Sequence, residues 1–129
     1  MIELSFSSDK PLYLQIKDQV IQKILTGEYL PGDKLTPLRR LAKNQDISVI
    51  TVKKAYEELA GEKYVYAVKG KGYIVSDEVD NIIQKQKEEV KSELCQTIKK
   101  AKFLEIDPGE LWEIIIEEYK KDEGSDQDF

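Results

Sequence analysis

The 129-residue sequence predicts a mainly α-helical protein with one small β-hairpin. Apolar residues recur every three or four positions over most of the chain, which is the spacing of amphipathic helices. Residues 64–75 follow a different pattern, because they combine aromatic and β-branched residues with two glycines that suit a tight turn. Three helices are therefore expected before the hairpin and two after it.

The first helix is expected to begin near Pro11, since proline fits the first turn, where its missing N–H costs no hydrogen bond. Gly27 is a natural end, because glycine readily adopts a left-handed conformation. The residues that recur at helical spacing between them are Leu12, Ile16, Gln19, Val20 and Ile24, and Leu14 and Ile21 broaden this stripe. Pro31 and Gly32 then match the two central positions of a type II turn.

A pair of shorter helices is expected between this turn and the hairpin. Thr36 is predicted to cap the first of the pair, with Pro37 at the first helical position and an end near Gln45. Ser48 is predicted to cap the second. The buried face of that second helix is expected to contain Val52, Ala55, Tyr56 and Leu59, and the exposed face of its first two turns Val49, Ile50, Lys53, Lys54 and Glu57.

The spacing of residues 38–55 predicts a helix-turn-helix. Ala42 is small enough for a close helix crossing, and Asp46 can adopt the left-handed conformation that the turn requires. The hairpin that follows, with a basic turn at residues 69–72, completes the order of a winged helix-turn-helix. Such a helix pair inserts its second helix into the major groove of DNA. A plain helical hairpin stays open as an alternative.

Beyond the hairpin, helical spacing returns at Val79 and predicts a long helix. A last helix is expected after Asp107, which can cap it. Pro108 fits the first helical position, and Glu110 is placed for a capping box.

The charges are divided unequally along the chain. Residues 1–76 contain 12 Lys and Arg against 9 Asp and Glu, a net charge of +3, whereas residues 77–129 contain 8 against 16, a net charge of −8. A basic module joined to an acidic region suggests that the two parts face different partners. We expect a domain over residues 1–76, a helical tail over residues 77–122 and a disordered acidic end over residues 123–129.

Catalysis and cofactor binding are not expected. The chain has no histidine, the commonest general base and metal ligand near neutral pH, and its one cysteine, Cys95, cannot form a thiolate cluster. No cofactor or metal site is therefore predicted. The amino terminus lacks a signal-peptide pattern and no apolar run approaches the length of a membrane span, so a cytoplasmic protein is expected.

Four stretches together resemble the GntR family of bacterial regulators, namely PLYLQIKDQVIQKILTGEYLPGDKL, LRRLAK, ISVITVKKAYEEL and VYAVKGKGYIV. The resemblance implies DNA contacts from the helix before the turn, from the helix after it (the recognition helix) and from the wing. The matching residues are Arg39, Ser48, Thr51, Lys53, Lys69, Gly70 and Lys71. These roles are physically reasonable, because cations neutralise phosphates and glycine lets a backbone come close.

The chain departs from the family pattern at the start of the recognition helix. The family's Ser-Arg pair is here Ser48-Val49, which removes a guanidinium able to contact phosphate or guanine. Val49 and Ile50 can instead contact thymine methyl groups, so a divergent operator is expected.

The two-helix tail is similar to that of the short-tailed YtrA-type branch of the family, which implies dimerisation. The apolar residues assigned to this role are Ile83, Val90, Leu94, Leu111, Trp112, Ile115, Ile116 and Tyr119. Closure of a core within one chain is the alternative for the last helix. The dimer is favoured, because two helices alone do not easily bury so wide an apolar face.

The expected function is that of a sequence-specific repressor, which binds an inverted-repeat operator as a homodimer with half-sites about 10 bp apart. The alternative is a protein-interaction module, a winged helix that has lost DNA binding and docks a partner through its apolar recognition face. The sequence identifies no ligand pocket, so a small-molecule effector is left open.

Overall fold

The computed structural model describes residues 2–121. They form five helices and two strands in the predicted order, which confirms a mainly helical fold with a winged helix-turn-helix. Their bounds are α1 Leu12–Leu25, α2 Leu38–Gln45, α3 Val49–Gly61, β1 Val65–Val68, β2 Gly72–Val75, α4 Val79–Phe103 and α5 Pro108–Lys121. None of the helices in this part of the chain has the length and hydropathy needed to cross a membrane.

The chain divides into two compact units, the first ending at Gln86 and the second beginning at Lys87. The first turns of α4 belong to the first unit, because Val79 is buried there and Ile82 and Ile83 pack against the same core. The domain boundary expected at residue 76 stays a prediction. The acidic end expected over residues 123–129 lies outside the described residues.

Helix α3 forms the centre of the first unit. The four residues predicted to face inward, Val52, Ala55, Tyr56 and Leu59, are all exposed by 2% or less. α3 packs against α1, α2 and β1, and α1 contributes the buried Ile16 to the same core. Burying one large aliphatic side chain stabilises a fold by about 1.5–3 kcal/mol, so this packing determines the orientation of α3.

The sheet of the wing is larger than the sequence indicates. β1 and β2 pair in antiparallel fashion, with Val65 opposite Val75 and Val68 opposite Gly72. The segment that precedes α2 also pairs with β2, since the Leu35 N–H donates to the Tyr73 carbonyl at 2.9 Å. This pairing satisfies backbone groups along one edge of β2, which links the hairpin to the rest of the unit.

The start of α2 differs from the prediction. Pro37 lies just before the helix with extended backbone angles, as Pro11 does before α1, so neither occupies the first helical position. No side chain caps α2, and the prediction that Thr36 does so is wrong. The Thr36 carbonyl instead accepts a hydrogen bond from the Tyr56 hydroxyl at 2.7 Å, because this part of the chain passes over α3.

Other local predictions are confirmed. Asp107 caps α5 by accepting a hydrogen bond from the Gly109 N–H at 2.9 Å, and Pro108 is the first residue of that helix. Before α2, the Asp33 N–H donates to the Leu30 carbonyl at 3.0 Å, which closes the predicted turn.

Replacement of Ala42 tests the close crossing of α2 and α3. Ala42 is 3% exposed, so Ala42→Leu forces extra methyl groups into a filled space and should lower the free energy of unfolding by about 1–3 kcal/mol. Urea denaturation followed by circular dichroism measures this effect. The matched control is Ala67→Leu on the exposed side of β1, which should change stability by less than about 0.5 kcal/mol. Equal midpoints for the two variants would contradict the crossing.

Candidate nucleic-acid interface

The turn between α2 and α3 has the predicted geometry. Asp46 adopts the left-handed conformation, with φ 55° and ψ 49°. The next residue, Ile47, donates its N–H to the Ala42 carbonyl at 2.9 Å, which closes the end of α2. Ala42 itself is buried, as expected for a residue where two helices meet closely. These contacts determine the direction in which α3 leaves the turn.

The start of α3 is exposed and already ordered. The Ser48 hydroxyl accepts a hydrogen bond from the Ile50 N–H at 3.1 Å, which confirms the predicted cap. Ser48 and Ile50 are exposed and Thr51 is half-buried, so one side of the first turn faces solvent. The helix start therefore needs no folding step before it meets a ligand, and the Ser48 O–H keeps its donor for another acceptor.

The two aliphatic residues of this turn have different surroundings. Ile50 is 78% exposed, whereas Val49 is half-buried and packs against the hydrophobic core. The prediction that Val49 lies on the exposed face is wrong. The reason is helical periodicity, because Val49 shares a face with the buried Val52 and Tyr56, three and seven residues later. The predicted contact of Val49 with DNA stays a prediction.

The five cations of α2 and of the wing have no carboxylate partner among residues 2–121. Arg39, Arg40 and Lys43 on α2 and Lys69 and Lys71 in the wing are all exposed. Within residues 2–121, none of them forms an ion pair. Their charge is therefore available to an external anion such as a phosphate.

The lysines of α1 are used differently. Lys17 forms ion pairs with Glu58 and with Glu62, which link α1 to the end of α3. Burial of the ammonium lowers the pKa of Lys17, but the hydrogen bonds and charges of Glu62 and Glu58 outweigh it and raise the pKa above its usual value. Lys23 is likewise paired, with Glu28 at 2.6 Å. Both lysines of α1 are therefore paired with carboxylates, and their charge is less available to an external anion.

The two lysines of α3 are neither fully paired with carboxylates, as those of α1 are, nor without any partner in the described chain, as the cations of α2 and the wing are. Lys53 lies 3.7 Å from Glu57 one turn later, and both side chains are more than half exposed, so the pair is weak. The Lys54 ammonium lies 4.0 Å from the centre of the Tyr13 ring, which engages its charge on α1. Lys53 is therefore the cation of α3 that can turn towards an external anion.

The wing ends in an exposed turn whose backbone is accessible. The Lys71 N–H donates to the Val68 carbonyl at 2.9 Å, and Gly70 has a φ of +79°, a conformation that other residues rarely adopt. Apart from Gly70 and its two chain neighbours, no described residue has an atom within 4 Å of the position that a Cβ of Gly70 would take, so another molecule can approach closely there.

The contact that positions the wing was not apparent in the sequence. The rings of Tyr56 on α3 and Tyr73 on β2 meet edge to face, with centroids 5.2 Å apart. Local patterns mark Tyr56 as buried and Tyr73 as a strand residue, but they carry no signal that pairs the two. The contact joins the recognition helix to the hairpin, so the two elements are held in one unit.

Comparison with known proteins identifies the family. The model of bacterial regulatory proteins of the gntR family matches residues 12–75, which include α1, the helix-turn-helix and the hairpin. The transcriptional repressor YtrA of Bacillus subtilis (strain 168) is 33% identical over 118 residues, 91% of each chain. The chain belongs to the GntR family.

Solved structures support the same assignment within this family. A GntR family regulator from Listeria monocytogenes superposes with a TM-score of 0.65 at 28% identity, covering 87% of this chain and 98% of that one. The AraR DNA-binding domain in complex with operator ORE1 has a TM-score of 0.51 at 28% identity, covering 59% of this chain and 93% of that one. These relatives are transcription regulators rather than enzymes, and the YtrA likeness extends through the tail.

The residues predicted to mediate dimerisation lie in different surroundings. Most belong to the second unit, where Val90, Leu94, Trp112, Ile116 and Tyr119 are exposed and Leu111 and Ile115 are half-buried. No residue of α5 is buried. Ile83 packs against the core of the first unit, so its predicted part in a dimer stays a prediction.

Removal of the Ser48 hydroxyl tests the cap of the recognition helix. Ser48→Ala leaves the Ile50 N–H without its acceptor and should lower the free energy of unfolding by about 1 kcal/mol, whereas Ser48→Gly should cost only a few tenths. Thermal and urea denaturation measure both. Ser92→Ala, at an exposed position of α4, is the control and should not destabilise. A Ser48→Ala variant as stable as the parent would contradict the cap.

Proposed function

We propose that this GntR family chain is a sequence-specific transcriptional repressor that binds an inverted-repeat operator as a homodimer. The observations that carry this proposal are the exposed, capped start of α3 and the exposed cations of α2 and the wing, which form no ion pair within residues 2–121. Because its proposed target is chromosomal DNA, the protein acts in the cytoplasm.

Each group at this surface has a distinct task on DNA. The first turn of α3 enters the major groove, where residues at the amino end of a recognition helix reach base edges. Arg39, Lys53, Lys69 and Lys71 contact phosphates, which determine register and supply salt-dependent affinity. The Ser48 O–H donates to a phosphate while its oxygen continues to cap the helix. Gly70 allows the backbone of the wing to approach the duplex.

Operator binding by the AraR DNA-binding domain supports this arrangement, because that domain has the same fold as the winged helix of this chain. The repressor YtrA of Bacillus subtilis, similar over 91% of this chain, supports repression rather than activation.

The homodimer is supported by the apolar face of α5. Trp112 is 62% and Tyr119 77% exposed, and these residues lie on the same side of the helix as Ile116. An exposed patch of this kind is typical of an association surface. A two-fold dimer would present two recognition helices to half-sites about 10 bp apart, or a multiple of that spacing, which requires an inverted repeat.

Removal of one phosphate-binding cation tests DNA binding. Arg39→Ala should weaken binding to the protein's own upstream region and reduce the slope of log affinity against log salt by about one for each phosphate that is no longer neutralised. Fluorescence anisotropy over a series of salt concentrations measures both quantities. Lys91→Ala removes an equally exposed cation from α4 beyond the first unit, and it should leave affinity and slope unchanged.

The same assay distinguishes the protein-interaction alternative. If no upstream fragment binds in a salt-sensitive way, operator binding is contradicted. If Arg39→Ala also leaves the regulatory activity intact while Ile50→Glu abolishes it, the surface binds a protein instead.

A charge introduced on the apolar face of α5 tests the dimer. Ile116→Asp should raise the dissociation constant of the dimer by at least about 30-fold, because the carboxylate would be desolvated at the interface. Sedimentation equilibrium measures this change. Ile114→Asp is the matched control, since Ile114 is 57% exposed on a different side of the same helix. If neither variant dissociates, the dimer does not use this face.

A further inference from the structure

Among residues 2–86, the most exposed large hydrophobic side chain lies on the recognition helix. Ile50 is 78% exposed, more than Phe6 at 68% or Leu30 at 57%. It is the second residue of α3 and therefore belongs to the turn that a helix-turn-helix directs at base edges. An aliphatic group at this position has no donor or acceptor, so it cannot form the hydrogen bonds that distinguish most bases.

The side chain of Ile50 is presented in a nearly fixed direction. Its own N–H is bonded to the Ser48 hydroxyl at 3.1 Å, which holds the backbone of the first turn. Because isoleucine is β-branched, one χ1 rotamer dominates in a helix. Little conformational entropy is therefore given up when the side chain meets a surface, which favours its use in recognition.

The surroundings of Ile50 favour DNA over a protein partner. Lys53 and Lys54, three and four residues after Ile50, are its neighbours on the helix surface. The preceding residue, Val49, packs against the core. Ile50 is thus followed on the helix surface by two lysines rather than by further apolar residues. A protein-docking surface normally offers a contiguous apolar patch of several hundred Å², whereas the exposed residues that follow Ile50 along this side of the helix are Lys53, Lys54 and Glu57. A polyanion that carries small apolar groups matches both features.

The major groove offers one apolar group at its floor, the C5 methyl of thymine. We infer that Ile50 reads a thymine methyl group in each half-site of the operator. This inference rests on the proposed function and adds to it the base that the exposed aliphatic residue selects. Val49, which the sequence also makes a candidate for this contact, is excluded from the inference by its packing against the core.

Loss of the methyl contact in one half-site should change the affinity for DNA only modestly, whereas its loss in both half-sites should be clearly measurable. Burial of one methyl group changes an affinity by roughly four-fold, so a dimer without the methyl contact in either half-site should bind roughly 15-fold more weakly. The hydrogen-bonding edge of the base does not change when the methyl group alone is removed. The contribution of Ile50 can therefore be separated from every polar contact.

The experiment begins with operators selected from a random DNA pool by the full-length wild-type protein. Each thymine of the selected half-site is then replaced by deoxyuridine, which differs only by the absent methyl group. We expect one position at which the replacement in both half-sites weakens wild-type binding by roughly 15-fold. Ile50→Ala should bind the thymine operator with a similar reduction in affinity and show no further reduction on the deoxyuridine operator.

Lys69→Ala is the control that separates base contacts from phosphate contacts. It should weaken binding to both operators equally and keep the full effect of deoxyuridine. Salt-sensitive binding with no effect of deoxyuridine at any position overturns the inference and leaves the proposed function intact. If deoxyuridine weakens the binding of Ile50→Ala as much as it weakens the binding of the wild type, the inference is likewise overturned and the proposed function is unaffected. Failure to select any sequence overturns the inference and the proposed function together.

Discussion

The position of the recognition helix depends on the close contact between α2 and α3. This contact requires a small residue at one position and a residue that tolerates a left-handed conformation at another. Ala42 is small enough to let the helices approach, and Asp46 tolerates the left-handed conformation that reverses the chain between them. The Ile47 N–H closes the turn on the Ala42 carbonyl. Since α3 is also buried against α1, only one side of the helix is exposed, from its first turn to Lys53 and Glu57. The exposed Ser48 and Ile50 follow from this constraint.

The described part of the first unit contains both paired and unpaired cations, a difference that the total charge of −5 does not show. The lysines of α1 are held by carboxylates, and Lys17 in particular connects α1 to the end of α3 through Glu58 and Glu62. The cations of α2 and the wing have no such partners among residues 2–121. An approaching polyanion is therefore attracted to one set of lysines and arginines and not to the other. This distribution agrees with a family whose members regulate transcription.

The second unit differs from the first in how its last helix can be stabilised. Its α5 combines an apolar face with several glutamates and buries no residue within the described chain. Such a helix is poorly stabilised by its own contacts, because most helical stability in proteins comes from packing of the apolar face. In the proposed dimer that packing comes from a second copy. Folding of the tail and association would then be linked, and the spacing of the two DNA-binding units would follow from the same contacts.

Local signals in the sequence were sufficient for the order of the elements, the small residue at the helix crossing, the left-handed turn and the cap at Ser48, because each depends on residues only a few positions apart. The inward face of α3 was predictable for the same reason. The same helical periodicity places Val49 on the side of Val52 and Tyr56, although the residue was predicted to be exposed. The structure alone decided that the segment before α2 pairs with the wing and that Thr36 receives the Tyr56 hydroxyl instead of capping a helix. These two features join residues that are distant in sequence, and no local pattern contains that information.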